Sequence, residues 1–173
     1  MTYTKGRDLW GKVAESVDAC TFVSLFLFGE YTARLDAKRR FGMPSVLLTL
    51  LPEGARSDFV LQRAPDSCLW LYPLPVWRRE LETLYEKINL FTPEGRNFLR
   101  LYQAGAQPVS LDSEGRLLLP KPFCDYAGLQ AEIILLGMRD RIEIWSESRY
   151  TAWKAAHESH FSEWTQKFLG EAP

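Results

Sequence analysis

The apolar residues of this chain change period several times along its length, and each change predicts an element. The longest apolar run, CTFVSLFLF at residues 20–28, predicts one buried strand leading into the fold. It is too short to span a bilayer. Glu15 and Asp18 precede it, and GEY makes a poor cleavage site, so it does not read as a signal peptide. In PVWRRELETLYEKI, Trp77, Leu81, Leu84, Tyr85 and Ile88 recur at helical spacing behind Pro75, which suits a first turn. In TPEGRNFLRLYQAG, Thr92 caps, Pro93 opens and Gly105 closes a shorter helix. A last helix begins near Ser146 and carries the stripe Trp153, His157, Phe161, Trp164 and Phe168. Such a stripe marks a core or subunit contact more often than a cofactor site.

An internal repeat overlies these elements. Residues 34–44 read RLDAKRRFGMP and residues 110–120 read SLDSEGRLLLP. Leu35, Asp36, Arg40 and Pro44 thus recur as Leu111, Asp112, Arg116 and Pro120. Each copy is followed by an apolar run, VLLTLL in the first and AEIILLG in the second. Each half then reaches a strand ending in an aromatic, CLWLY and RIEIW, and after it a helix. The pattern predicts two β-rich halves joined by a short helix. Each motif reads as a β-hairpin with Asp and Arg at its tip, and Gly115 supplies the positive φ that a tight turn needs.

Composition narrows what such a chain does. Of 173 residues, 46% are hydrophobic and 13% aromatic, enough for a folded core. The net charge of -1 excludes polyanion binding by bulk electrostatics, so any nucleic-acid contact comes from a local patch. Cys20, Cys68 and Cys124 match no metal or redox spacing and read as reduced thiols of a cytoplasmic protein. Asp36–Arg40 and Asp112–Arg116 read, at their simplest, as ion pairs that fix two turns. The first copy holds more than that reading requires. Arg34, Lys38, Arg39 and Arg40 set four cations against one acid, the density that phosphate binding uses. The second copy has Ser113 and Glu114 where the first has Ala37 and Lys38, and Gly115 where it has Arg39.

The order GEYTARLDAKRR, LYPLPVW, FLRLYQAGA, LDSEGRLLLP, YAGL and DRIEIW resembles the MraZ family of bacterial transcriptional regulators over about residues 27–168. The resemblance implies an α+β fold of two AbrB-like swapped-hairpin β-barrel halves (SpoVT-AbrB type), related by a pseudo-two-fold and carrying packing helices. On this division, residues 27–90 form the first repeat, 91–105 a linking helix and 106–173 the second repeat with its C-terminal helix. Residues 1–26 are an extension without a family counterpart. The resemblance further implies a repressor of the division and cell-wall gene cluster, nucleoid-associated, binding short direct repeats in its own promoter as a ring-shaped homo-oligomer. Double-stranded DNA is the partner, with no cofactor, metal or membrane. Lys38 and Arg40 would face DNA, with Arg34 and Arg39 adding charge and Arg116 supporting the same surface. The family carries glycine where this chain has Arg39, so the first turn is expected either to change shape or to be strained.

Other classes fit less well. Paired aspartates suggest an aspartic protease, but neither Asp is followed by Thr-Gly or Ser-Gly, and a cation beside each keeps both ionised. His157 and His160 stand three apart in HESH, not in the HExxH spacing of zinc proteases. The serious alternative is an AbrB-fold scaffold or antitoxin-like interaction module that lacks specific DNA binding.

Overall fold

A computed structural model describes residues 25–170. Residues 1–24, which include Cys20 and most of the expected extension, lie outside the described residues, as does the first half of the run 20–28. Its second half is not a strand. Leu25 and Leu27 are buried and Phe26 and Phe28 exposed, but only Leu27 makes a ladder contact, a single bridge to Arg139. Gly29, at a positive φ of 94°, interrupts the ladder between that bridge and the strand that follows, although the Gly137 N–H still donates to the Gly29 carbonyl at 2.8 Å.

The fold is α+β, built on an antiparallel sheet of six strands. In chain order these are β1 (Glu30–Arg34), β3 (Asp58–Arg63), β4 (Leu69–Pro73), β5 (Ala106–Ser110), β7 (Glu132–Met138) and β8 (Arg141–Ser146). Their spatial order is β1-β7-β8-β4-β3-β5. Two further strands, β2 (Arg40–Gly42) and β6 (Arg116–Leu118), pair only with each other. The ladder is an exchange between the repeats. Leu61 lies between Leu71 of its own half and Gln107 of the other, and Leu135 between Ile144 and Tyr31. The leading strand of each repeat therefore completes the other repeat's sheet.

This exchange corrects the expected hairpins. The strands flanking each motif do not pair with one another beyond the turn, apart from one bridge from Leu111 to Leu117. β1 is bonded to β7 and β5 to β3, so neither is left to pair with the strand that follows its turn. The repeat alignment is corrected too. VLLTLL is not the counterpart of AEIILLG. It forms helix α1 (Ser45–Leu50), which matches α4 (Lys121–Ala127), and AEIILLG forms β7, which matches β3. Pro44 and Pro120 sit at the N-caps of α1 and α4, where a fixed φ and a missing N–H cost nothing.

Strand alternation divides the sheet into two faces. Leu61, Leu69, Leu71, Ile133, Leu135, Ile142 and Ile144 face the main core. Phe41 and Leu117 from the β2–β6 ribbon, Leu47 from α1 and Phe123 from α4 complete it. On the other face Ile134, Trp145, Cys68, Ala64 and Tyr150 form a smaller cluster. Burial pushes the Cys68 thiol up to about 12, and Cys124 is buried as well.

Helix α2 (Leu74–Lys87) follows β4, and α3 (Pro93–Ala104) precedes β5. The Thr92 hydroxyl accepts the Gly95 N–H, and Gly105 ends α3 in a right-handed conformation. Ser146 caps α5 (Glu147–His157) by accepting the Arg149 N–H. The expected single last helix is two: a 3-10 turn over Glu158–His160 separates α5 from α6 (Phe161–Leu169). Among the described residues no helix is long and apolar enough to cross a membrane.

Candidate nucleic-acid interface

The two motifs fold into the same turn. In the first, the Asp36 N–H donates to the Arg40 carbonyl (2.8 Å) and the Arg39 N–H to the Asp36 carbonyl (2.9 Å). In the second, the Asp112 N–H donates to the Arg116 carbonyl (2.9 Å) and the Gly115 N–H to the Asp112 carbonyl (3.0 Å). One carboxylate oxygen closes each loop from inside. Asp36 Oδ1 accepts the N–H groups of Lys38 (2.8 Å) and Arg40 (2.9 Å), and Asp112 Oδ1 those of Glu114 and Arg116 (both 2.9 Å). Glycine could not do this, and a serine hydroxyl would do it more weakly than a carboxylate.

The second carboxylate oxygen holds the arginine. Arg40 Nε lies 2.9 Å and its Nη2 2.8 Å from Asp36 Oδ2, and Arg116 Nε lies 2.9 Å from Asp112 Oδ2. Backbone hydrogen bonds, with the arginine beside them, hold both aspartates below the usual carboxylate range. The Asp112 hydrogen bond raises the Arg116 guanidinium further. The structural reading of the Asp–Arg pairs therefore applies to both turns.

The copies differ in what is left over. Arg116 Nη1 is taken by the Glu114 carboxylate. In the first turn Lys38 stands in that place, and no carboxylate among the described residues pairs with Arg40 Nη1 or with Lys38. The five residues 36–40 carry three cations and one acid, a formal +2, whereas 112–116 carry one cation and two acids, -1. The remaining cations are placed differently. Arg34, at the end of β1, is exposed and reaches Glu132 at 3.5 Å. Arg39 turns its Nε to the Leu119 carbonyl at 3.3 Å.

The β2–β6 ribbon brings the two turns together. Arg40 pairs with Leu118, Phe41 with Leu117 and Gly42 with Arg116. Beyond the ribbon the Leu119 N–H donates to the Arg39 carbonyl (2.9 Å) and the Met43 N–H to the Gly115 carbonyl (3.0 Å). Arg34, Lys38, Arg39, Arg40 and Arg116 thus belong to one end of the molecule, although they come from both repeats.

Sequence reasoning missed the neighbours of this end. A cavity of about 410 Å³ lies beside the first turn, bordered by Asp36, Arg39, Lys121 and Asp125. Lys121 and Asp125 are paired at 2.6 Å, one helical turn apart, a spacing that was visible in KPFCD. Histidines 157 and 160 lie elsewhere, stacked with Trp153 and Trp164. Among the described residues no three His, Cys, Asp or Glu side chains group to hold a metal.

Comparison with known proteins places the chain. A family model described as "MraZ protein, putative antitoxin-like" matches residues 26–101 and again 103–170. Among curated relatives, a protein of Clostridium acetobutylicum is 39% identical over 122 residues, 70% of this chain and 82% of the relative. One of Cytophaga hutchinsonii is 36% identical over 147 residues, 83% and 95%. One of Caldicellulosiruptor bescii is 40% identical over 124 residues, 72% and 83%. All three bear the name transcriptional regulator MraZ.

Proposed function

The chain belongs to the MraZ family, and we propose that it regulates transcription by binding double-stranded DNA through the end formed by the two turns. The observation that carries this reading is the unpaired Nη1 edge of Arg40 beside Lys38, against the Glu114-blocked edge of Arg116. A guanidinium held on one side by a carboxylate is aimed on the other. That arrangement suits guanine O6 and N7 in a major groove. Lys38, Arg39 and Arg34 would contact phosphates and set register. Arg116 would hold the second turn under the first and add little charge of its own.

One turn is a small footprint. We therefore read the chain as acting in a closed homo-oligomer, a ring that presents the turn repeatedly to short direct repeats in its own promoter. Linked weak contacts of this kind gain on the order of 100-fold or more in avidity. The exposed apolar residues of α6, with Phe161 at 72% and Phe168 at 71%, support contact between chains. The strand exchange supports assigning the halves to the AbrB-like swapped-hairpin class, with repeats at 27–90 and 106–173, residues 91–105 as the link and 1–26 as the extension. On this reading the protein works at the nucleoid, in the cytoplasm, as a repressor of a division and cell-wall gene cluster.

A mobility-shift assay tests it. Wild type should retain duplex from upstream of its own gene in preference to a scrambled duplex, and Arg40→Ala should lose that preference. Equal affinity for both duplexes defeats the regulatory reading, and unchanged preference in Arg40→Ala defeats the site. The same exposed apolar face favours a second reading, a scaffold or antitoxin-like module. It predicts oligomers without any duplex binding at low salt.

A further inference from the structure

A second cavity, of about 690 Å³, lies away from the turns, between strands β3 and β4 and helices α2 and α3. Its volume is that of small-molecule sites, which run from about 300 to 1,000 Å³. Trp70 and Tyr72 supply the sheet wall, and Leu84, Phe98 and Tyr102 the helix wall. Trp70 packs edge-on against Tyr72 with ring centroids 6.2 Å apart, and Phe98 stacks on Tyr102 at 5.9 Å. These pairs leave planar apolar surface facing a space that no residue fills.

The charges around it are unequal in what they have left to give. Arg141 lies 4.6 Å over Trp70, donates from Nη1 to Asp140 (3.0 Å) and has Glu143 at 4.0 Å. Its buried Nε makes no hydrogen bond among the described residues, but its charge is balanced by two carboxylates. Arg63 has none. Its guanidinium sits 5.6 Å over both Phe123 and Tyr126, is exposed, and pairs with no carboxylate among the described residues. The shelf beneath it is fixed, because the Tyr126 hydroxyl donates to the Ala64 carbonyl at 2.6 Å. A guanidinium held over aromatic rings by cation–π contact keeps its N–H donors available to a carboxylate, sulfonate or phosphate. Glu80, on the α2 wall, is the one carboxylate lining the cavity. It repels additional negative charge, so a ligand whose single anionic group lies at Arg63 is favoured over a polyanion.

We propose that this cavity is a binding site for a small monoanion with a flat apolar body, in which Arg63 takes the anionic group and Trp70, Phe98 and Tyr102 take the body. The site is independent of the DNA reading. The helix wall ends at Gly105, whose carbonyl accepts the Arg63 N–H at 3.0 Å and which leads directly into β5.

Two fluorescent probes separate the parts of the claim: 8-anilinonaphthalene-1-sulfonate, and N-phenyl-1-naphthylamine, the same body without the sulfonate. The full chain should bind the sulfonate at one saturable site per chain and more tightly than the neutral probe. Arg63→Met should weaken the sulfonate about tenfold, the cost of one charged hydrogen-bonding partner, and leave the neutral probe unchanged. Ala104→Trp, an exposed rim position, should block both probes. Thermal unfolding of each variant confirms that it is folded, and Leu84→Trp replaces Ala104→Trp if that variant is not. The proposal is overturned if Arg63→Met binds the sulfonate as wild type does, or if rim blocking leaves both probes bound. It is also overturned if the assembled chain binds neither probe, the result expected of a cavity covered by another protein copy.

Discussion

Arg39 and Gly115 hold the same left-handed corner in two copies of one turn, at φ 62° and 71°. Of the two outcomes expected for a turn that lacks glycine, a new shape is excluded and the strained original is found. Each residue also offers its carbonyl to the opposite repeat, at Leu119 and Met43. The corner is thus held from outside the loop, and Arg39 adds a second bond to that residue, its Nε donating to the Leu119 carbonyl at 3.3 Å.

The two corners should respond unequally to substitution. A Cβ on Gly115 meets no atom within 4 Å, so Gly115→Ala has only the backbone cost, about 1–2 kcal/mol. Arg39→Gly relieves that cost but adds chain entropy and loses a hydrogen bond, for a net change within about 1 kcal/mol. Urea unfolding of both variants checks this. A neutral or stabilising Gly115→Ala would refute the strain argument.

Both turn aspartates are held below their usual range, and the sign of the consequence follows. A carboxylate whose folded-state pKa is depressed stabilises the fold above its unfolded value, near 3.9, and that stabilisation is lost as pH falls through the folded value. Wild type should therefore weaken steeply below about pH 4. The double variant Asp36→Asn, Asp112→Asn should begin less stable and show a shallower acid limb. Denaturation midpoints against pH would sink the argument if the two limbs had equal slope.

Glu143, within RIEIW, is a buried acid whose partners the sequence does not reveal. Its Oε1 accepts the Trp70 indole N–H at 3.1 Å and its Oε2 that of Trp145 at 3.0 Å. Glu143→Ala strands two indole donors and should cost about 2–4 kcal/mol, with Glu143→Gln intermediate. Chemical unfolding followed by tryptophan fluorescence reads both. A Glu143→Ala variant within experimental error of wild type would show that water replaces the carboxylate.

Gly137 is set by contact rather than by turn geometry. A Cβ there would lie 2.5–2.7 Å from the backbone of Phe28. Gly137→Ala should lift residues 27–29 from β7, breaking the hydrogen bonds of Gly137 to Gly29 and of Leu27 to Arg139 (both 2.8 Å). Limited proteolysis should then cleave near Phe28 at least about tenfold faster than in wild type, because cleavage tracks the open population. Unchanged protection would mean that this segment is held by other contacts.

The turns were legible because their cause is local: Asp36 and Asp112 bond amides two and four residues ahead, so composition and spacing suffice. The helix starts at Thr92 and Ser146 were legible for the same reason. Partner choice was not. Alternation tells which face of β1 or β5 is buried, but not that Tyr31 lies beside Leu135, or Gln107 beside Leu61. VLLTLL misled because a short apolar run has no period of its own, and Pro44 before it was the helix signal to weigh. The Arg39 corner was flagged but not decided, since the restraint at Leu119 lies 80 residues away.

The exchanged strands have a consequence for how such a chain diversifies. A single repeat with this topology lacks the strand that its twin supplies, so it could close its sheet only as a pair of identical molecules. Two identical molecules must carry identical tips. Fusing them end to end removes that obligation, and one tip can become basic while the other becomes acidic, within a framework that symmetry built. Lys38 and Glu114, at matching positions of the two turns, differ in a way that identical molecules could not.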